Sequence, residues 1–172
     1  MESPLATYLA DHLAGSVHAI ELLKAIKEQH SADPLGEFAA DILKEVESDR
    51  AVLQSLAKRV GSASSGVKEI ASWISEKFSR LKLRQGSKYD LGTFEALEFL
   101  VLGINGKLLL WKVLLALTPD DSRLSDFDFK HLAQRAEIQR DQVEQRRLQI
   151  APQALGATEA KSSRAAPGRT AI

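Results

Sequence analysis

Between residues 99 and 117 the chain reads FLVLGINGKLLLWKVLLAL. On a helix that turns about 100° per residue, this run is apolar almost all the way round. A surface helix shows one apolar stripe, whereas a helix with no polar side has to be covered on every side. The rest of the chain must therefore supply its walls. A bilayer would be another covering, since a spanning helix needs about 20 mostly apolar residues. Asn105, Lys107 and Lys112 interrupt this run, and charge in mid-span is costly. Protein walls are the expected covering, without membrane insertion.

The flanking sequence offers those walls. The 3.6-residue period marks a helix from Pro4 to Lys27, with Leu5, Leu9, Ile20 and Leu23 on one face. A second runs from Pro34 to Val60 on Phe38, Ile42, Leu53 and Leu56. Ser3-Pro4 and Asp33-Pro34 are start signals, a capping side chain followed by a proline suited to the first turn. A shorter amphipathic helix is expected over Val67–Leu83. The apolar helix itself spans Leu91–Leu117 and stops at Thr118-Pro119-Asp120. A last one runs from Asp126 or Asp128 to Ile150. Residues 1–150 form one helical domain in this reading, and 151–172 are a small, polar, disordered tail. No strand pattern, repeat or phosphate-binding glycine loop interrupts the helices.

Short loops join the first two helices and the last two, so each pair is an antiparallel hairpin. About 30 residues separate the hairpins, enough to cross the bundle with an extra helix on the way. The expected fold is all-α: a four-helix bundle of ferritin type, two hairpins joined by one long crossover.

Composition narrows function mainly by exclusion. The 172 residues carry 23 Lys+Arg against 23 Asp+Glu, so no charge excess favours nucleic acid. There is no cysteine, which removes thiol chemistry, disulfides and Cys-ligated metals. The start, MESPLATYLADHL, lacks the basic head and apolar run of a signal peptide. A cytoplasmic protein is expected.

Several polar residues fall on apolar faces. His12 lies mid-stripe in YLADHLAGS; Asp49 shares a line with Ile42 and Leu56, with Glu45 one turn before it. Glu98 and Asn105 share a line on the third helix, and Gln139 and Arg146 on the fourth. Facing residues of a hairpin lie equally far from the middle of its loop, which pairs His12 with Asp49, Asn105 with Gln139 and Glu98 with Arg146. The expected polar layer is His12, Asp49, Asn105 and Gln139, with Arg146, Glu45 and Glu98 within one or two turns. Buried charges need partners. They find them in one another, and the layer then fixes the fold, or they hold something. A carboxylate pair at i and i+4 with a facing histidine suits a single Fe, Mn or Zn ion at His12, Glu45, Asp49 and Glu98. A small ligand beside the layer is a further reading. His12 and Asp49 also make a general-base dyad, but no nucleophile stands beside it.

The stretches YLADHLAGS, EVESDRAVL, ASWISEKFSRLKL and LEFLVLGINGKLLLW resemble uncharacterised bacterial ferritin-like proteins over about residues 4–150. The resemblance implies a ferritin-like bundle. The family's di-iron enzymes carry Glu-x-x-His on two helices. Here Glu45 is followed by Ser48 at that spacing, and the last helix turns Glu137 and Glu144 outward. The full di-iron ligand set is thus missing. The leading expectation is a non-enzymatic structural or protein-interaction bundle with no cofactor; the single-metal and small-ligand bundles stand as alternatives. An unknown protein partner or a homodimer is compatible with the apolar back of the third helix.

Overall fold

A computed structural model of the chain describes residues 3–61 and 91–157. These form four long helices and one short turn of 3₁₀ helix, with no strand among them. The helices are α1 (Pro4–Gln29), α2 (Pro34–Val60), α3 (Leu91–Leu117) and α4 (Phe129–Ala154), with the 3₁₀ turn at Ser122–Leu124. The expected helix over Val67–Leu83 and most of the expected tail lie outside the described residues.

The capping signals work as the sequence implies. Ser3 Oγ accepts the Ala6 amide at 3.2 Å, and Asp33 Oδ1 accepts the Leu35 amide at 2.8 Å. Asp128, not Asp126, caps α4, accepting the His131 amide at 2.9 Å. Asp126 instead pairs with Arg59 at 2.8 Å. The last helix runs past the expected stop at Ile150, through Pro152, to Ala154. A proline one turn from a helix end removes one hydrogen bond and leaves the remaining ladder intact.

Side-chain contacts give the direction of each helix. His30, closing α1, touches Thr93 at the start of α3. Arg59, near the end of α2, touches Asp126 just before α4. So α1 runs up, α2 and α3 run down, and α4 runs up. Around the bundle α1 neighbours α2 and α3, and α4 neighbours α3 and α2. Because α2 and α3 are parallel, Gly61 and Leu91 lie at opposite ends, about 40 Å apart at 1.5 Å per residue.

Two details lock the upper end. Gly36 packs its backbone on the α1–α2 loop, where an added Cβ would lie 2.1 Å from the His30 carbonyl oxygen. Only glycine allows so close an approach. The His30 ring, 4 % exposed, bridges Asp33 Oδ2 at 3.1 Å and Thr93 Oγ1 at 3.2 Å.

The core has two apolar halves. The upper half holds Leu23, Ile26, Leu35, Ile42, Leu97 and Val143. The lower half holds Leu9, Leu56, Trp111, Leu114, Phe129 and Ala136. Trp111 and Phe129 stack with centroids 6.1 Å apart. Helix α3 is long and apolar enough to cross a membrane by length and composition. In this fold its Leu97, Leu100, Ile104, Trp111 and Leu114 are buried core.

Candidate functional site: a polar layer beside an apolar groove

The two core halves are separated where each of three helices places polar side chains between its apolar ones. Asp49 follows Val46 and precedes Leu53, Lys107 lies between Ile104 and Leu108, and Gln139 lies between Ala136 and Val143. Asp49 is 1 % exposed and Gln139 fully buried. Helical spacing brings Glu45 and Arg135 to the same level, each one turn from its neighbour.

The layer is a hydrogen-bonded network in which Arg135 Nε alone among its buried side-chain polar atoms lacks a partner among the described residues. Lys107 Nζ donates to Asp49 Oδ2 at 2.5 Å and also to Gln139 Oε1. Arg135 donates to the other Asp49 oxygen. Gln139 Nε2 donates to Glu45 Oε2 at 2.7 Å and to Asp49 Oδ2 at 3.4 Å. Two carboxylates meet two cations, and one amide joins them, so the set is neutral. Burial pushes the Lys107 ammonium below the usual lysine value; its contact with Asp49 opposes the shift.

This membership differs from the expected one. Asp49 and Gln139 are where the sequence puts them, and Glu45 joins them. His12 does not reach Asp49. It sits half-buried with its ring edge-to-face on Tyr8, centroids 4.7 Å apart. Burial lowers its pKa, against a smaller opposing pull from Asp11. Asn105 makes no side-chain hydrogen bond with the described residues. Glu98 is exposed and pairs with Arg147 at 3.2 Å, not with Arg146. The Arg146 guanidinium lies over the Phe38 ring, 5.1 Å from its centroid.

The reason is the orientation of α3. Its buried residues, Leu97, Leu100, Ile104, Leu108, Trp111 and Leu114, lie on the side that also carries Lys107. Glu98 and Asn105 fall well over 100° away at about 100° per residue. A helix apolar all round has no stripe to announce its inner face, so its polar residues alone do not show which of them points inward. Lys107 is hidden on that account, and Arg135, on α4, because a long basic side chain is usually read as solvated. The usable signal was the matching spacing: Lys107 and Arg135 sit at the level of Asp49.

The single-ion reading loses its ligand set. His12, Glu45, Asp49 and Glu98 are not brought together. Both Asp49 oxygens face cations, and Glu98 is occupied by Arg147 outside the core. Among the described residues no three histidines or carboxylates are grouped for a metal. This donor set does not fit a cation. Elsewhere, Thr93, His30 and Asp33 are ordered like a hydrolytic triad. Thr93 and His30 are both almost fully buried, and Asp33 is already capping α2, so the arrangement serves to clasp α1 to α3.

Beside the polar layer the bundle is open. Between α1 and α3 lies a groove of about 470 Å³ that reaches inward to α2. Its walls are largely apolar, with Leu22, Val46, Leu53 and Leu110 among them, and Asp49 and Lys107 lie at its floor. His12 and Tyr8 stand on the α1 side. Gly15 and Gly103 also line it, and a Cβ added at either would meet nothing within 4 Å. Arg50, at one side, donates from Nε to Ser16 Oγ at 3.0 Å. Comparison with protein-family models, with curated proteins and with solved structures finds no match.

Proposed function

We propose that this chain is a non-enzymatic helical bundle that binds a small, mainly apolar ligand in the groove between α1 and α3. The observation that carries the reading is an apolar cavity of about 470 Å³ next to a polar layer whose two carboxylates are already bonded by Lys107, Arg135 and Gln139. Ligand pockets commonly enclose about 300–1,000 Å³, mostly apolar, with a few polar groups. Catalysis would need an acid, base or nucleophile with spare capacity. The groove's charged floor has none, since Asp49 and Lys107 neutralise each other, and His12 on the α1 wall has neither a nucleophile nor a hydrogen-bonded carboxylate beside it. The layer then acts as architecture: it fixes the vertical register of α2, α3 and α4, a role for which buried polar groups are well suited. The two-hairpin topology with parallel α2 and α3 supports kinship with ferritin-like bundles, in a form whose core holds an ion-pair network where the family's enzymes hold metal.

The test is titration of the full chain with an apolar fluorophore such as N-phenylnaphthylamine, for the wild type and for Gly103→Leu. Leucine at 103 meets no neighbour at its Cβ and adds a side chain to the groove lining. It should also stabilise the helix by about 1 kcal/mol through propensity alone. The expected result is saturable binding by the wild type and at least a tenfold weaker affinity in a variant with an unchanged or higher Tm. Equal binding by both proteins sinks the proposal, and so does the absence of saturable binding by the wild type.

A further inference from the structure

The outward face of α3 carries a second apolar feature, which adjoins the groove at Leu102 and Gly103 and extends beyond it. Leu102, Leu109 and Val113 are 62 %, 53 % and 44 % exposed, and Leu117 is exposed at the lower end. They follow one another at helical spacing along a single stripe. Gly106 lies on this stripe and Gly103 at its edge, and neither has anything within 4 Å of an added Cβ. The stripe is uncharged for most of the helix. A contiguous apolar surface of this kind on a soluble domain marks an interaction site.

The charges at its ends point to the occupant. Glu95 continues the stripe at its upper end. Lys112 flanks it near its lower end. Both are exposed, and neither has an ion-pair partner among the described residues. A second α3 laid antiparallel on the first, crossing near Gly103 and Gly106, turns one stripe onto the other. In that arrangement Glu95 of one copy comes within about a turn of Lys112 of the partner subunit. The two-fold axis repeats the pair on the other side. The face is therefore self-complementary in the sense an isologous dimer requires: apolar centre, small residues at the crossing, opposite charges at opposite ends.

We infer that a second copy of this chain packs on the outer face of α3, antiparallel and centred near Gly103–Gly106. Leu102 and Gly103 also line the groove, whereas Leu109, Val113, Glu95 and Lys112 lie outside its lining, so variants at those four positions test this contact without altering the groove. A single-helix contact about 25 Å long buries less than the standard interface and belongs with reversible dimers.

Sedimentation equilibrium of the full chain reads the proposal directly. The wild type should show a concentration-dependent dimer. Leu109→Asp should be monomeric with an unchanged Tm, because Leu109 is not part of the core. Glu95→Lys and Lys112→Glu should each weaken association about three- to tenfold, and the double variant should recover most of the wild-type affinity. A wild type that is monomeric throughout, or that is monomeric and floats with phosphatidylcholine vesicles, overturns the proposal. A dimer that survives Leu109→Asp, or a double charge reversal no better than the single ones, overturns it as well.

Discussion

The bundle joins its two hairpins along two seams, and the seams are filled in opposite ways. Between α2 and α4 the space is spanned by long polar side chains: Arg135 to Asp49, Gln139 to Glu45, and Arg59 to Asp126. Between α1 and α3 the upper end is closed by His30 on Thr93, but below it the facing surfaces are apolar and carry glycines at 15 and 103. Long side chains with charged ends reach across a gap and hold it at a defined width. Apolar surfaces with small residues leave a gap unless something enters it. One seam thus sets register, and the other leaves room.

The sharpest way to break the first seam is Asp49→Ala. It strands Lys107 and Arg135 in a largely buried setting without their carboxylate, and breaking a buried pair from one side costs about 3–5 kcal/mol. A urea titration should show the loss as a lowered midpoint. A change under about 1 kcal/mol, small for a buried pair, would mean the layer does not hold the helices together.

A subtler test uses pH. The folded-state pKa of Lys107 lies below the ordinary lysine value because burial opposes its charge. Between those two values the unfolded chain binds the extra proton. Stability contributed by this group therefore rises as pH climbs through that window, and the cost of the buried ammonium is fully present below it. Lys107→Met should remove this alkaline rise from a plot of unfolding free energy against pH. An identical slope in the variant would assign the pH dependence to other groups.

The smallest effect belongs to the open seam. Gly15→Ala adds a methyl group into empty space on a helix and should raise stability by about 0.5–1 kcal/mol. Thermal unfolding would register this as a modestly higher Tm. A lower Tm would show that α1 and α3 approach more closely at Gly15 than the groove implies.

Asp49 and Gln139 were legible as buried polar residues because each interrupts a one-sided apolar stripe. The cap residues Ser3 and Asp33 were legible because capping is local. Lys107 was hidden, although it lies in the most conspicuous segment of the chain. Its helix is apolar on all sides, so periodicity could not tell inside from outside. His12 erred the other way. Its place on the stripe was read correctly, but α1 borders the open groove there, and a stripe position does not guarantee a neighbour.

Sequence alone determined the all-helical class, the extents of α2 and α3, and the pairing of helices into hairpins. These follow from local forces: hydrogen bonds to free amides, the 3.6-residue period, and loops too short to go elsewhere. Tertiary structure alone decided which face of α3 looks inward, which cations meet Asp49, and that a groove remains between α1 and α3. Those outcomes depend on how four helices rotate against one another. Rotation is set by the sum of all contacts across the bundle, and no single segment carries that sum.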